Sequence, residues 1–330
     1  MKIAVIGTGA IGNLVAGYLR LKDEDVSLVG RQGSLQEIKE RGLRISGVRG
    51  SLNVKIDTAT KLGEGRELVI LAVKTQDLET AIKDNLGPMK SSAVLTTQNG
   101  VQADNIAARY IPRENIISSI VMFGSTYLEP GKVVHNFEGD WIIGKISGGA
   151  DKRVEQVKGT LDKAFPVVVS DDIMAMKYLK IFVNANNCIP AILGKSLQES
   201  FSDVDVSRIS VRIWEEGLDI ARRCGVNLKS LPDFPLERVT KLVSLPELEA
   251  ARIFSGIMSN LSKDPVYGSI LQSIKRGRAS EIDYINGEFV GLAKDNGMEA
   301  PVNSKLVELV HQVEKTRKFL TKKELLECLK

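Results

Sequence analysis

The sequence predicts an α/β chain in two parts: a parallel sheet with helices on both faces, then an all-helical half. Three observations predict it. Short apolar runs alternate with helical periodicities over residues 1–170, the pattern of βαβ units. A GxGxxG at residues 7–12 stands between the first such run and the first helix, where a tight strand-to-helix turn requires glycine. Beyond Ser170 the strand-like runs stop and long helical patterns take over. The expected boundary therefore separates residues 1–170 from residues 171–330.

Taken in order, residues 2–6 read as a buried strand and 11–20 as a helix with Ile11, Leu14, Val15 and Leu19 on its apolar stripe. Residues 26–29 give a second strand and 35–41 a short helix. Residues 68–73 form a wholly apolar strand and 93–96 another, followed by a helix at 103–110 and a strand at 116–122. Residues 132–136 and 141–143 read as an antiparallel pair around Gly139. A helix at 154–165 and a strand at 167–169 complete the first part. The second part reads as helices over 173–187, 204–224, 246–259, 281–296 and 302–319, with Pro232, Pro235, Pro265 and Pro301 in the connections.

Composition excludes several functions. The chain has 330 residues, 43% hydrophobic and 26% charged, enough for two ordinary cores without staples. Its net charge of +4 is too mild for nucleic-acid binding on charge alone. No apolar run reaches about 18 residues, so no membrane span is expected. The strand begins at Lys2, which leaves no room for a signal peptide. Cys188, Cys224 and Cys328 lie far apart, so neither a disulfide framework nor a zinc knuckle is expected. The chain reads as cytoplasmic. With only His135 and His311 available, one in a strand pattern and one in a charged helix, an imidazole acid or metal cage is not expected.

The glycine motif points to a dinucleotide. Gly7 permits the tight turn, Gly9 lets the backbone approach a pyrophosphate, and Gly12 lets helix and strand pack closely. Thr8, Ala10 and Ile11 complete the loop, and the helix N-terminus offers unpaired amides to an anion. An NAD site carries an acid at the end of the second strand, roughly 20 residues on. Here Val29-Gly30-Arg31-Gln32 stands instead. An arginine there pairs with a 2′-phosphate, which favours NADPH; a plain surface arginine is the alternative.

Two polar positions follow the next strands: Lys74 after Ala72-Val73, and Asn99 in Gln98-Asn99-Gly100. Both fall beyond carboxyl ends of strands, where open α/β sheets bind ligands. The alternatives are a solvated lysine and a turn asparagine, and an isolated Asn-Gly favours the turn. In the helical part, Lys180, Asn184 and Cys188 have i, i+4, i+8 spacing and so are expected on one helix face, with Met176 extending the stripe. A desolvated lysine there suits a proton donor, and a snorkelling lysine fits the spacing equally. Ser280 and Asp283 resemble a capping box, which places Glu281 in a first helical turn where the helix dipole accounts for a carboxylate.

Taken together, these segments resemble the ketopantoate reductases (2-dehydropantoate 2-reductases). The match spans the glycine motif, Gly30-Arg31, Val73-Lys74, Gln98-Asn99-Gly100, Lys180 with Asn184, and residues 269–287. Glu281-Ile282-Asp283-Tyr284-Ile285-Asn286-Gly287 is its most specific part. The resemblance implies an N-terminal Rossmann-type NADP domain, a helical substrate domain, and reduction of ketopantoate to D-pantoate with NADPH, on the route to pantothenate and coenzyme A. It implies Lys180 as general acid and Glu281 as its charge partner. It also implies Asn99 between nicotinamide and substrate oxygen, Ser269 on the substrate carboxylate, and Asn184 on the terminal hydroxyl. Lys74 and Arg31 would hold cofactor groups. No metal, nucleic acid or membrane partner is implied, and a homodimer is left open. One position departs: the family usually has asparagine eight residues after the lysine, and here Cys188 stands there. Loss of that amide bears on which 2-oxo acid is preferred. A paralogous D-2-hydroxyacid dehydrogenase for another branched or aromatic 2-oxo acid is the alternative within this chemistry. A non-catalytic dinucleotide sensor is the alternative outside it.

Overall fold

The computed structural model describes residues 1–63 and 65–329, which form two compact units, Met1–Met174 and Ala175–Lys330. The first unit runs β1 (Lys2–Ile6), α1 (Ala10–Arg20), β2 (Asp25–Val29), α2 (Gln32–Arg41), β3 (Leu43–Gly47), β4 (Leu52–Val54), β5 (Asp57–Ala59), β6 (Leu68–Leu71), α3 (Thr75–Met89), β7 (Ala93–Thr96), α4 (Gln102–Ala108), β8 (Ile116–Val121), β9 (Gly124–Glu129), β10 (Lys132–Phe137), β11 (Trp141–Lys145), α5 (Lys152–Leu161) and β12 (Val167–Val169). Among the described residues its main sheet has eight strands, in the order β12-β11-β8-β7-β6-β1-β2-β5. β5, β2, β1, β6, β7 and β8 pair in parallel, and β11 turns antiparallel to β8. β1 lies between β2 and β6, so the strand order reverses beside it, and the crevice past its carboxyl end is where such sheets bind ligands.

Alternation along β1 shows why the sheet is covered twice. Ile3 and Val5 enter one core with Leu14, Val15 and Leu19 of α1. Ala4 and Ile6 enter another with Leu78 and Ile82 of α3 and Ala103 and Ala107 of α4. Side chains of a strand alternate between faces, so a strand apolar throughout requires cover on both.

The expected pairing of residues 132–136 with 141–143 is not what forms. β10 pairs with β9 and β3 in a second sheet, of order β4-β3-β10-β9, while β11 joins the main sheet beside β8. Gly139 explains the divergence. A Cβ there would lie 2.5 Å from the Met122 carbonyl oxygen, so the chain passes flat against the end of β8 rather than turning back as a hairpin. His135 is fully buried at this second sheet, its Nδ1 3.0 Å from the Tyr18 hydroxyl. Burial holds its pKa below the ordinary imidazole range, which makes it a core histidine.

The second unit is helical: α6 (Ile173–Ala185), which starts within the end of the first unit, then α7 (Cys188–Leu193), α8 (Leu197–Phe201), α9 (Val204–Arg223), α10 (Glu237–Val243), α11 (Glu247–Ser259), α12 (Ser269–Lys275), α13 (Asn286–Asp295), α14 (Pro301–Thr316) and α15 (Lys322–Cys328). α9 lies against α6 and α13. Trp214 Nε1 donates to the Phe182 carbonyl at 2.8 Å, and a Cβ on Gly217 would meet both Phe182 and Phe289. Among the described residues no helix is long and apolar enough to cross a membrane.

Candidate active site

The glycine loop in the first unit is shaped by packing at two positions and by space at the third. Gly7 has φ +122°, and a Cβ there would stand 2.6 Å from the Ala72 carbonyl group. Only glycine fits that turn. A Cβ on Gly12 would stand 1.9 Å from the Gly7 carbonyl oxygen, so α1 packs on the loop through a bare Cα. Gly9 differs, because its Cβ would meet nothing closer than the Ala72 carbonyl oxygen at 3.9 Å. The fold does not require glycine there, whereas a pyrophosphate approaching the backbone does. Gly9 is the N-cap of α1, no side chain caps it, and the first turn holds no acid. Ala10 and Ile11 are in that first turn, so their amides belong to a helix start suited to an anion. Buried Asn13 holds the loop by donating to the Thr8 carbonyl at 3.1 Å. These residues fit a dinucleotide phosphate.

That difference makes an expectation. Gly12→Ala should lower stability by about 1–3 kcal/mol through overpacking. Gly9→Ala should leave the melting temperature unchanged and weaken dinucleotide binding by about tenfold or more, roughly 1.4 kcal/mol. Thermal melting and fluorescence titration of both variants would check it, and equal destabilisation would contradict a ligand role for Gly9.

Thr8 also touches the end of β2, where a Cβ on Gly30 would meet its methyl at 2.4 Å. Arg31 follows as the N-cap of α2 and is 81% exposed, with a loose 3.7 Å ion pair to Asp77 in the first turn of α3. An exposed pair of this kind is weak, so a 2′-phosphate could take the guanidinium at little cost. β6 ends at Leu71 rather than residue 73, which leaves Ala72, Val73 and Lys74 as the turn against Gly7, with Lys74 the N-cap of α3. Gln98 is buried and donates to the Leu71 and Val73 carbonyls, both at 2.8 Å, binding the ends of β6 and β7 together. Beneath it, buried Asp104 accepts from Thr96 at 2.5 Å and Ser118 at 2.6 Å. Asn99, one residue past Gln98, is thus carried by a clamped loop that Gly100 turns with φ +79°.

In the second unit, Met176, Lys180 and Asn184 lie on one face of α6, as the spacing predicts. Cys188 does not continue it. α6 ends at Ala185, and Cys188 opens the separate helix α7. Pro190 is the physical cause: in a continuous helix its ring would strike the Asn186 carbonyl four residues back. That carbonyl instead accepts from the Ile189 amide at 3.2 Å. Cys188 is fully buried, burial pushes its thiol up to about 12, and the Asn286 amide stands beside it.

Lys180 is half-buried, and desolvation lowers its ammonium to about 8. A proton affinity in that range is what a donor working near neutral pH requires. α6 packs on α13 through Phe182 and Phe289, whose ring centroids are 4.9 Å apart. Glu281 sits just upstream of α13. The expected helix over 281–296 is broken there: residues 282–284 form a 3-10 turn, and α13 starts at Asn286. The residue before the 3-10 turn is Glu281, not Ser280, and its side chain does not cap it. The Ser280 hydroxyl accepts from the Ile282 amide at 3.3 Å, and Asp283 instead bonds His311 at 2.8 Å. The Ser280 amide donates to Glu314 at 2.6 Å. These side-chain bonds to α14 outcompete the helix. Glu281, being the residue before a 3-10 turn, therefore lacks the helix-dipole explanation that spacing offered.

Ser269 is the first residue of α12. The loop before it is pinned by Gln198, whose side chain donates to the Ser262 and Asp264 carbonyls and accepts from the Val266 amide at 3.0 Å. Sequence reading missed Gln198, because nothing in the sequence marks a single glutamine as a clamp. It also missed the chain from Asn286 to Asn303 (2.9 Å) to Glu216 (2.8 Å), which caps the start of α14. The glycine-loop residues thus lie in the first unit, and Lys180, Asn184, Ser269 and Glu281 lie in the second.

The family model described as ketopantoate reductase PanE/ApbA matches residues 3–148, and its C-terminal counterpart matches residues 172–314. The 2-dehydropantoate 2-reductase of Pyrococcus horikoshii is 33% identical over 314 residues, 94% of this chain and 96% of that protein. That of Pyrococcus abyssi is 30% identical over 94% of this chain and 97% of its own length. Among solved structures, D-mandelate dehydrogenase with NADH and anilino(oxo)acetate has a TM-score of 0.83 at 25% identity, covering 96% of this chain and 99% of that one. A PanE/ApbA family ketopantoate reductase from Ralstonia eutropha has a TM-score of 0.81 at 25% identity, covering 96% of this chain and 99% of that one. This chain belongs to the ketopantoate reductase PanE/ApbA family.

Proposed function

We propose that this protein is a 2-dehydropantoate 2-reductase that uses NADPH to reduce ketopantoate to D-pantoate. The observation that carries the reading is Lys180, a lysine whose ammonium is desolvated to a pKa of about 8 one turn before Asn184. The curated relatives at 30–33% identity bear this name. The D-mandelate dehydrogenase, a D-2-hydroxyacid dehydrogenase, stands at 25% identity, so the paralogue reading is the less favoured. A nicotinamide dinucleotide is the cofactor that Gly7, Gly9 and Gly12 fit. The choice of NADPH rests on Arg31 where an NAD site would have an acid.

When bound, the nicotinamide supplies the hydride. The chain's own groups handle the charge and the proton. As the 2-keto carbon is reduced, negative charge grows on its oxygen. The Lys180 ammonium stabilises that oxygen and then donates its proton to it. Glu281 supplies the carboxylate that keeps Lys180 charged. By the family resemblance, Asn99 is the amide donor beside the nicotinamide, Ser269 the group for the substrate carboxylate, and Asn184 the group for the terminal hydroxyl. Arg31 holds the cofactor's 2′-phosphate as a charge-assisted donor, and Lys74 holds another cofactor group.

A single-turnover experiment with bound NADPH and ketopantoate tests this reading. Stoichiometric loss of the reduced nicotinamide with formation of pantoate is expected. Binding of both without hydride transfer would instead support a sensor.

A further inference from the structure

We propose that the last turns of α14 position Glu281, with His311, Glu314 and Arg317 as the positioning residues. The inference rests on the reductase reading above, in which Glu281 is the carboxylate that keeps Lys180 charged. Glu281 has no regular helix to fix it. Residues 275–279, which lead from the end of α12, are exposed throughout, and a 3-10 turn of three residues follows Glu281. Its placement therefore depends on what holds the chain on either side.

α14 does so at three points. Immediately before Glu281, the amide of buried Ser280 donates to Glu314 Oε1 at 2.6 Å. Two residues after it, Asp283 Oδ1 lies 2.8 Å from His311 Nε2, and His311 Nδ1 lies 3.0 Å from Glu314 Oε2. The imidazole thus joins the two carboxylates that flank Glu281. At the far end of the loop, Arg317 Nη1 donates to the Ile274 carbonyl at 2.8 Å. Its Nη2 lies 3.8 Å from where a Cβ on Gly277 would stand. Arg317 makes these contacts from a strained backbone. It ends α14 with φ 59°, and among the described residues it and Asp23 are the two non-glycines with positive φ. Helices that end in this conformation usually do so on glycine. A helix stop accounts for the turn but not for the arginine, whose guanidinium the loop uses. Strain of this kind persists where the surrounding contacts require it.

Three variants test it, each followed by thermal melting, NADPH titration and the pH profile of kcat for ketopantoate. Glu314→Ala removes the acceptor for the Ser280 amide, and Glu314→Gln keeps one. Arg317→Gly removes the guanidinium and relieves the left-handed backbone, so it should melt no lower than wild type. Glu314→Ala is expected to lower kcat by about tenfold and Arg317→Gly by about threefold. Both should move the fall in rate at alkaline pH downward by roughly half a pH unit or more, because a displaced carboxylate no longer favours the Lys180 ammonium. Glu314→Gln should keep kcat within about threefold of wild type, and NADPH should bind within about twofold throughout. A merely structural role would lower the melting temperature and leave the alkaline fall in place. A wild-type pH profile in either folded variant, or Glu314→Gln as impaired as Glu314→Ala, would overturn the positioning role and leave the reductase reading standing. A wild type that does not oxidise NADPH with ketopantoate would overturn both.

Discussion

Lys180→Ala is expected to lower kcat for 2-oxo acid reduction by roughly 1000-fold, the middle of the range for loss of a positioned acid. NADPH should bind within about twofold of wild type, because the glycine loop and Arg31 lie in the other unit. Steady-state kinetics and a binding titration on the same variant check it. Loss of cofactor binding in parallel with turnover would contradict the role of Lys180 as acid. The pH dependence follows from the same group. Reduction needs the ammonium, so with a pKa of about 8 the wild-type rate should fall above pH 8, and this limb should vanish in the variant.

Stability carries the opposite sign. The folded pKa of about 8 lies below the ordinary 10.5, so between these values the unfolded chain binds a proton that the folded chain does not. Folding stability contributed by this residue therefore rises with pH across that window and is lowest below it. The difference in stability between wild type and Lys180→Met, followed from pH 7 to 10, should narrow as pH rises. A desolvated ammonium is a cost retained for chemistry, and the methionine variant should melt higher at pH 7.

Arg31→Ala is expected to weaken NADPH by about 10- to 100-fold, the usual worth of a charge-assisted hydrogen bond, while NADH changes by less than about threefold. The guanidinium is 81% exposed and only loosely paired with Asp77, so its removal leaves no buried charge behind. Isothermal titration with both dinucleotides reads the difference. Equal losses would contradict the 2′-phosphate assignment. They would place Arg31 instead among groups that merely shape the start of α2.

What the sequence made legible was what local physics dictates. The β1–Gly7–α1 unit could be read because a buried strand, obligatory glycines and an apolar stripe occur in one short span. α3 went unread although Leu78, Ile82 and Met89 form its buried stripe, because Gly87 and Pro88 near its end look like punctuation. β9, a hairpin partner of β10, went unread because it has no buried apolar face, and the rest of the second sheet because its pairing is non-local. β10 meets β3 across some ninety residues, and no spacing in the sequence encodes that. At the site, Lys180 and Asn184 were readable from helical spacing. Cys188 was misplaced although Pro190 was in view, since its clash with the Asn186 carbonyl ends the helix before position 188. Glu281 was given a helix that Glu314 and His311 prevent, and those partners come from α14, far along the chain.

The central claim is the pairing of NADPH with ketopantoate. Steady-state oxidation of NADPH by ketopantoate, run beside 2-oxoisovalerate and with NADH as the control, tests it most directly. The greatest kcat/KM is expected for NADPH with ketopantoate. Reduction of 2-oxoisovalerate as efficient as that of ketopantoate, or NADH serving as well as NADPH, would contradict it.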